Sequence, residues 1–285
     1  MTSLGRPFPF LSLNLFWLVW MVGLPNFTYT QSIGEYLGGE EVLYAETKQV
    51  NQFFRRFNCE ESPLGERYYP GDRLYHDLEL RDEYLHMIFD QASQSIDVRT
   101  RESFIGEMIQ KPTFLDFHGG EWLAEVKTSF LWQGRSHEVV LFMRLEETEP
   151  GSKWVFSHVY FEPFYQLFEP EALSQAKPQF IHPLSHELDF MNLIRVFQNQ
   201  AGLEVYASKE YQPDYLTLFL YEIKKGNLSF KSVSQVKFHF FQIDGWYFEL
   251  SDIQRPGPNR GWLITQLSEL GPGNKELLLN YIYRR

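Results

Sequence analysis

From Glu121 to Phe161 the hydrophobic residues recur at every second position, a period that commits the middle of the chain to β-sheet. Trp122, Ala124, Val126, Thr128, Phe130 and Trp132 fall on one side of the first run, with Glu121, Glu125 and Lys127 on the other. A turn around Gly134 leads to a second run at Glu138–Glu146, and Pro150-Gly151 turns the chain into Lys153–Phe161. Connections this short join antiparallel neighbours, so the three runs predict a meander. Its last corner, Glu-Pro-Gly-Ser-Lys-Trp at 149–154, has an echo at 255–262, Arg-Pro-Gly-Pro-Asn-Arg-Gly-Trp.

Before the meander the period is helical. Tyr44, Thr47, Val50, Phe54 and Phe57 form one stripe on a helix over 44–58; Arg73–Ala92 and Arg101–Gln110 repeat the pattern. Thr113–Phe117 reads as a short strand. Glu162–Leu184 holds four prolines and reads as a packed linker. After it comes a second series: a helix over His186–Gln200 capped by Ser185, a helix over Pro213–Lys225, and a strand at Leu228–Ile243. An Asp244-Gly245 hairpin, strands at Trp246–Asp252 and Trp262–Leu267, and a short helix at Asn274–Tyr283 complete it. Both halves run helix, long strand, hairpin strand, Pro-Gly turn, Trp-bearing strand. The fold class expected is α+β, in two consecutive domains at 44–165 and 185–285 joined by a linker at 166–184. Each domain would pack N-terminal helices on a curved antiparallel sheet.

That element order, with the Trp-bearing meanders at 121–161 and 228–267, resembles the nuclear transport factor 2-like (ketosteroid-isomerase-like) fold. Tandem copies behind an export signal are similar to exported bacterial proteins of unknown function. The resemblance implies cone-shaped domains whose mouths bind small molecules, in a family where many members are not enzymes.

Residues 1–30 differ in kind. Arg6 is their only charge, Phe10–Leu24 is an unbroken apolar-rich run, and Thr28 and Thr30 are small residues before Gln31. The pattern is that of a signal peptide, with 31–43 a flexible lead-in, and the run is short for a membrane span. The expectation is an exported protein, periplasmic, envelope-associated or secreted, with no membrane span once the signal is removed. The net charge of −11 opposes non-specific nucleic-acid binding, which needs a basic face. The single cysteine, Cys59, has no partner for an internal disulfide and reads as a small buried residue.

No phosphate-cradling glycine loop, nucleophile elbow or paired-cysteine metal site occurs, so neither cofactor nor metal is expected. His182 and His186 are four apart, but Pro183 separates them, and two histidines alone do not hold zinc. Asp116 and His118, two apart beside Gly119-Gly120, are the candidate catalytic pair: a carboxylate beside an imidazole works as a general base. Candidate ligand-binding residues are the aromatic and histidine positions of the strands, Trp122, Phe130, Trp154, His158, His239 and Trp262. His158 shares a strand face with Trp154, Phe156 and Tyr160 by simple alternation. The function expected is a non-enzymatic binding module for a small molecule or a protein partner. The alternatives are an isomerase- or hydratase-type enzyme built on Asp116 and His118, and an envelope scaffold.

Overall fold

The order of the strands joins the two halves in one sheet. A computed structural model describes residues 49–149, 151–168, 180–191, 193–198 and 203–284, all within one compact unit, Gly39–Arg285. The expected signal peptide, the lead-in and the first five residues of the 44–58 helix lie outside the described residues. Helices α1 (Val50–Asn58), α2 (Leu78–Met87) and α3 (Val98–Gln110) precede strands β1 (Trp122–Trp132), β2 (Arg135–Thr148) and β3 (Gly151–Tyr160). After α4 (Glu162–Leu167) and α5 (Leu193–Gln198) come α6 (Tyr215–Lys224), strands β4 (Leu228–Phe240), β5 (Trp246–Ile253) and β6 (Gly261–Glu269), and α7 (Asn274–Tyr283). The six strands form one antiparallel sheet in the order β3-β2-β1-β4-β5-β6. The expectation of a sheet for each half thus meets a different arrangement, in which β1 and β4 pair from Trp122↔Phe240 to Trp132↔Leu228. The α+β class stands.

The helices explain why the halves share a sheet. Helix α3 of the first half lies against β6 of the second, and α6, which leads into β4, lies against β3 of the first. Phe104 of α3 meets Trp246 and Phe248 edge-on, at 5.1 and 6.0 Å between ring centroids. Phe219 of α6 meets Phe130 at 5.4 Å, over Val139 and Val159. Helices of each half thus cover strands of the other as well as their own. On the opposite face of the sheet α7 packs Ile282 against Leu123, Val140, Phe142 and Tyr247.

Local chemistry sets the helix starts. The side chains of Asp77, Asp97 and Asp214 accept from the backbone N–H groups of Leu80, of Arg99 and Thr100, and of Thr217, satisfying donors that a helix start leaves open. Helix α1 ends at Cys59 in a left-handed conformation (φ 58°). Arg81, with no exposed surface, donates to the carbonyls of Phe57, Met108 and Thr113. It thereby ties the C-terminal ends of α1 and α3 together, where a helix favours a cation.

Three local expectations differ. Thr113–Phe117 forms no strand, because side-chain amides satisfy its backbone. Asn58 bonds both the N–H and the C=O of Leu115 at 2.8 Å, and Gln242 accepts from the N–H of Asp116 and donates to its C=O. The helix expected at His186–Gln200 is broken, with a 3-10 turn at Pro183–Leu188 followed by Asp189 and Phe190 at φ 51° and 52°. Ser185 lies inside that turn, and His182 caps it by accepting from the Leu184 N–H. A bulge at Ser157 lets Phe142 face His158 while Met143 faces Phe156, so His158 sits on the opposite face from Trp154 and Phe156.

Candidate functional site

Strand β4 has thirteen residues and β5 has eight, and the mismatch opens a fork in the sheet. The two strands pair only from Lys237↔Ser251 to Phe240↔Phe248. Below that apex they part, and the edge of β4 from Leu228 to Val236 faces no strand partner among the described residues. Two bulges, at Ser234 and at Lys231, interrupt its pairing with β1. Bulges increase local twist, and these two lie on the stretch of β4 that has parted from β5. The chain then turns at Pro256-Gly257, with Gly257 at φ 104°, and returns as β6.

An open concavity of about 660 Å3 lies at the fork. Val233, Ser234, Gln235 and Val236 form one wall, and Ser251, Asp252 and Gln254 the other. Trp262 lines it from β6, and Lys127 and Glu138 from β1 and β2. Gln254 donates to the Asp252 carboxylate at 2.7 Å, which orients both side chains at the surface. At the apex Lys237 donates to Glu249 Oε1 at 2.9 Å, with the hydroxyls of Ser251 and Thr265 at 3.4 and 3.3 Å from the same oxygen. Glu249 is buried, and its Oε2 has no hydrogen-bond partner.

The expected aromatic residues divide into three groups. Trp122, Trp154 and Trp262 converge on Phe238, at centroid distances of 5.7, 6.1 and 4.9 Å. Trp122 is core, its indole N–H bonded to the Phe117 carbonyl at 3.1 Å. Trp154 is 38% exposed and its neighbour Phe156 45%, so the two halves' repeated tryptophans flank a stretch of sheet that the helices leave open. Phe130 belongs to the α6 cluster instead. His158 packs on Tyr283 and bonds the Tyr165 hydroxyl at 3.1 Å; burial holds its pKa below the ordinary value, against the pull of Asp214.

His239 has no exposed surface. Its Nε2 lies 2.9 Å from Glu125 Oε2 and its Nδ1 2.8 Å from the Tyr247 hydroxyl. Burial pushes the Glu125 carboxyl up, but the hydrogen bond and charge of His239, with Lys237 and Lys127, outweigh it and hold the group below its usual range. This acid–base chain is closed to solvent and lines none of the clefts described here.

Asp116 and His118 do line one cleft, of about 600 Å3, between α1 and residues 113–118. Both side chains are exposed there. The Asp116 carboxylate accepts from the backbone N–H of His118 at 2.8 Å, and the imidazole Nδ1 is 2.9 Å from the Ser152 hydroxyl. The pair shares a cleft without a bond between carboxylate and ring. Among the described residues no group of three or more His, Cys, Asp or Glu is placed to hold a metal, and no helix is long and apolar enough to cross a membrane.

Sequence reasoning passed over Gln235, Asp252 and Gln254. The signal was available in the unequal strand runs, Leu228–Ile243 against Trp246–Asp252, which leave part of one edge unpaired. Comparison of the chain with protein families, with curated proteins and with solved structures finds no match in any of the three.

Proposed function

We propose that this protein is a non-enzymatic binding module that takes a small molecule in the fork between β4 and β5. One observation carries the reading: a concave site of about 660 Å3 with a half-buried tryptophan and several polar side chains, at a place where the edge of β4 meets no strand among the described residues. Ligand sites are concave, of a few hundred to about a thousand Å3, and combine apolar surface with a few placed polar groups. The enzyme alternative asks Asp116 to act on or through His118. Its carboxylate is instead occupied by the His118 backbone N–H, and the imidazole turns to the Ser152 hydroxyl.

The proposal keeps the tandem reading in altered form: two copies of a helix-then-meander unit, as in cone-type α+β folds, sharing one sheet and one site at the second copy. Export rests on residues 1–30, and N-terminal sequencing of protein from the culture medium or envelope fraction tests it; an intact Met1 there would overturn it. Crystals soaked with a library of small-molecule fragments test the site. Fragments are expected to collect in the fork, against Trp262. Collection elsewhere, or none, would overturn the reading.

A further inference from the structure

We infer that the ligand of the fork is a neutral saccharide, an inference that rests on the fork being a binding site and names the class of molecule it takes. The lining carries both kinds of hydrogen-bonding group around one indole. Asp252 accepts, Ser251 donates and accepts, and the amides of Gln235 and Gln254 do each through different atoms. Trp262 supplies a flat apolar face beside them, 4.9 Å from Phe238. A sugar ring has this mixed character, with C–H groups on one face for an aromatic ring and hydroxyls at its rim for polar side chains.

Charge narrows the class. Lys127 stands against Glu138 and Asp252, so the lining has no surplus of cations with which to hold a phosphate, sulfate or carboxylate. The backbone narrows it further. Along the edge of β4 below the apex, N–H donors and C=O acceptors meet no strand among the described residues, and a hydroxyl can satisfy either kind. An extended peptide would instead need them evenly spaced. The bulges at Ser234 and Lys231 break that spacing, and the β4–β5 pairing at Lys237↔Ser251 closes the fork to a strand running through it. Trp154, exposed on the other side of Phe238 at 6.1 Å, offers a second indole to a longer chain of sugars.

The test titrates the full chain with maltohexaose, cellohexaose, laminarihexaose, mannohexaose and chitohexaose by calorimetry. Trp262→Ala, Asp252→Ala and Gln254→Ala are run in parallel, together with a galacturonic-acid hexamer and a displayed library of linear peptides. Asp252 and Gln254 are exposed, so those two variants keep the fold even if Trp262→Ala loosens the Phe238 contact. At least one neutral hexasaccharide is expected to bind, and Asp252→Ala and Trp262→Ala are each expected to weaken it tenfold or more. Four results would overturn the inference: no hexasaccharide bound, binding indifferent to the variants, binding of the anionic hexamer alone, or peptides selected at the fork in place of glycans. Fragments gathering in the fork while every sugar fails would remove the saccharide and leave the site. Fragments avoiding the fork would remove both.

Discussion

At the scale of single residues, the charge on Glu125 is tied to folding through His239. The fold holds this carboxyl below its ordinary pKa, so the charged form is the one the native state favours. Its contribution is complete above the unfolded-state value of about 4.3 and fades as pH falls through the lower folded value. Glu125→Gln is therefore expected to lower the urea midpoint at pH 7, and the gap from wild type to close in acid. A gap that is unchanged down to pH 3 would show that the carboxylate is not the stabilising form. Removing the other partner, as in His239→Ala, leaves a buried carboxylate without its hydrogen-bonded imidazole and is expected to cost about 3–5 kcal/mol. Cys59 shows the opposite effect of burial, which pushes its thiol up to about 11, with a contact to the Leu74 carbonyl at 3.4 Å. A maleimide is expected to label it in urea and to leave it untouched in the native protein at neutral pH.

The elements show where side chains take over work that backbone usually does. Asn58 stands in for a neighbouring strand beside Leu115, so Asn58→Ala orphans a buried N–H and a buried C=O. The expected loss is about 1–3 kcal/mol for each, read from chemical denaturation, with α1 and residues 113–118 losing amide protection together. This pairing also shows how far local reasoning reaches. Helix α7 matches its expected range, and the strands follow the period of two, because both signals are local. Thr113–Phe117 has the apolar content of a strand, but its partners lie 57 and 126 residues away and are amide side chains, which no periodicity reports. The break at Asp189–Phe190 carries no glycine to announce it. The bulge at Ser157, which moved His158 to the other face, likewise leaves no mark in the alternation that precedes it. The candidate site was legible only in part: Trp262 was marked by its repeated corner, whereas its polar neighbours matter only because β4 outruns β5.

Across the whole molecule the exchanged helices make one cooperative body of two similar halves. Heat is expected to unfold residues 49–284 in a single calorimetric transition, with matching calorimetric and van't Hoff enthalpies. Two resolved transitions would show that the halves are independent. Phe104→Ala sharpens the point. It removes a fully buried ring at a cost of about 3–5 kcal/mol, and although it lies in the first half, the amides of β5 and β6 in the second half are expected to lose protection. The β1–β4 seam has one more consequence. A chain severed between Phe168 and Phe180 yields two fragments, each holding a helix that packs on the other's strands and a long strand edge matched to its partner's. Such fragments should find one another in solution and rebuild the sheet, so the protein can serve as a split reporter whose reassembly reads out the proximity of whatever is fused to each piece.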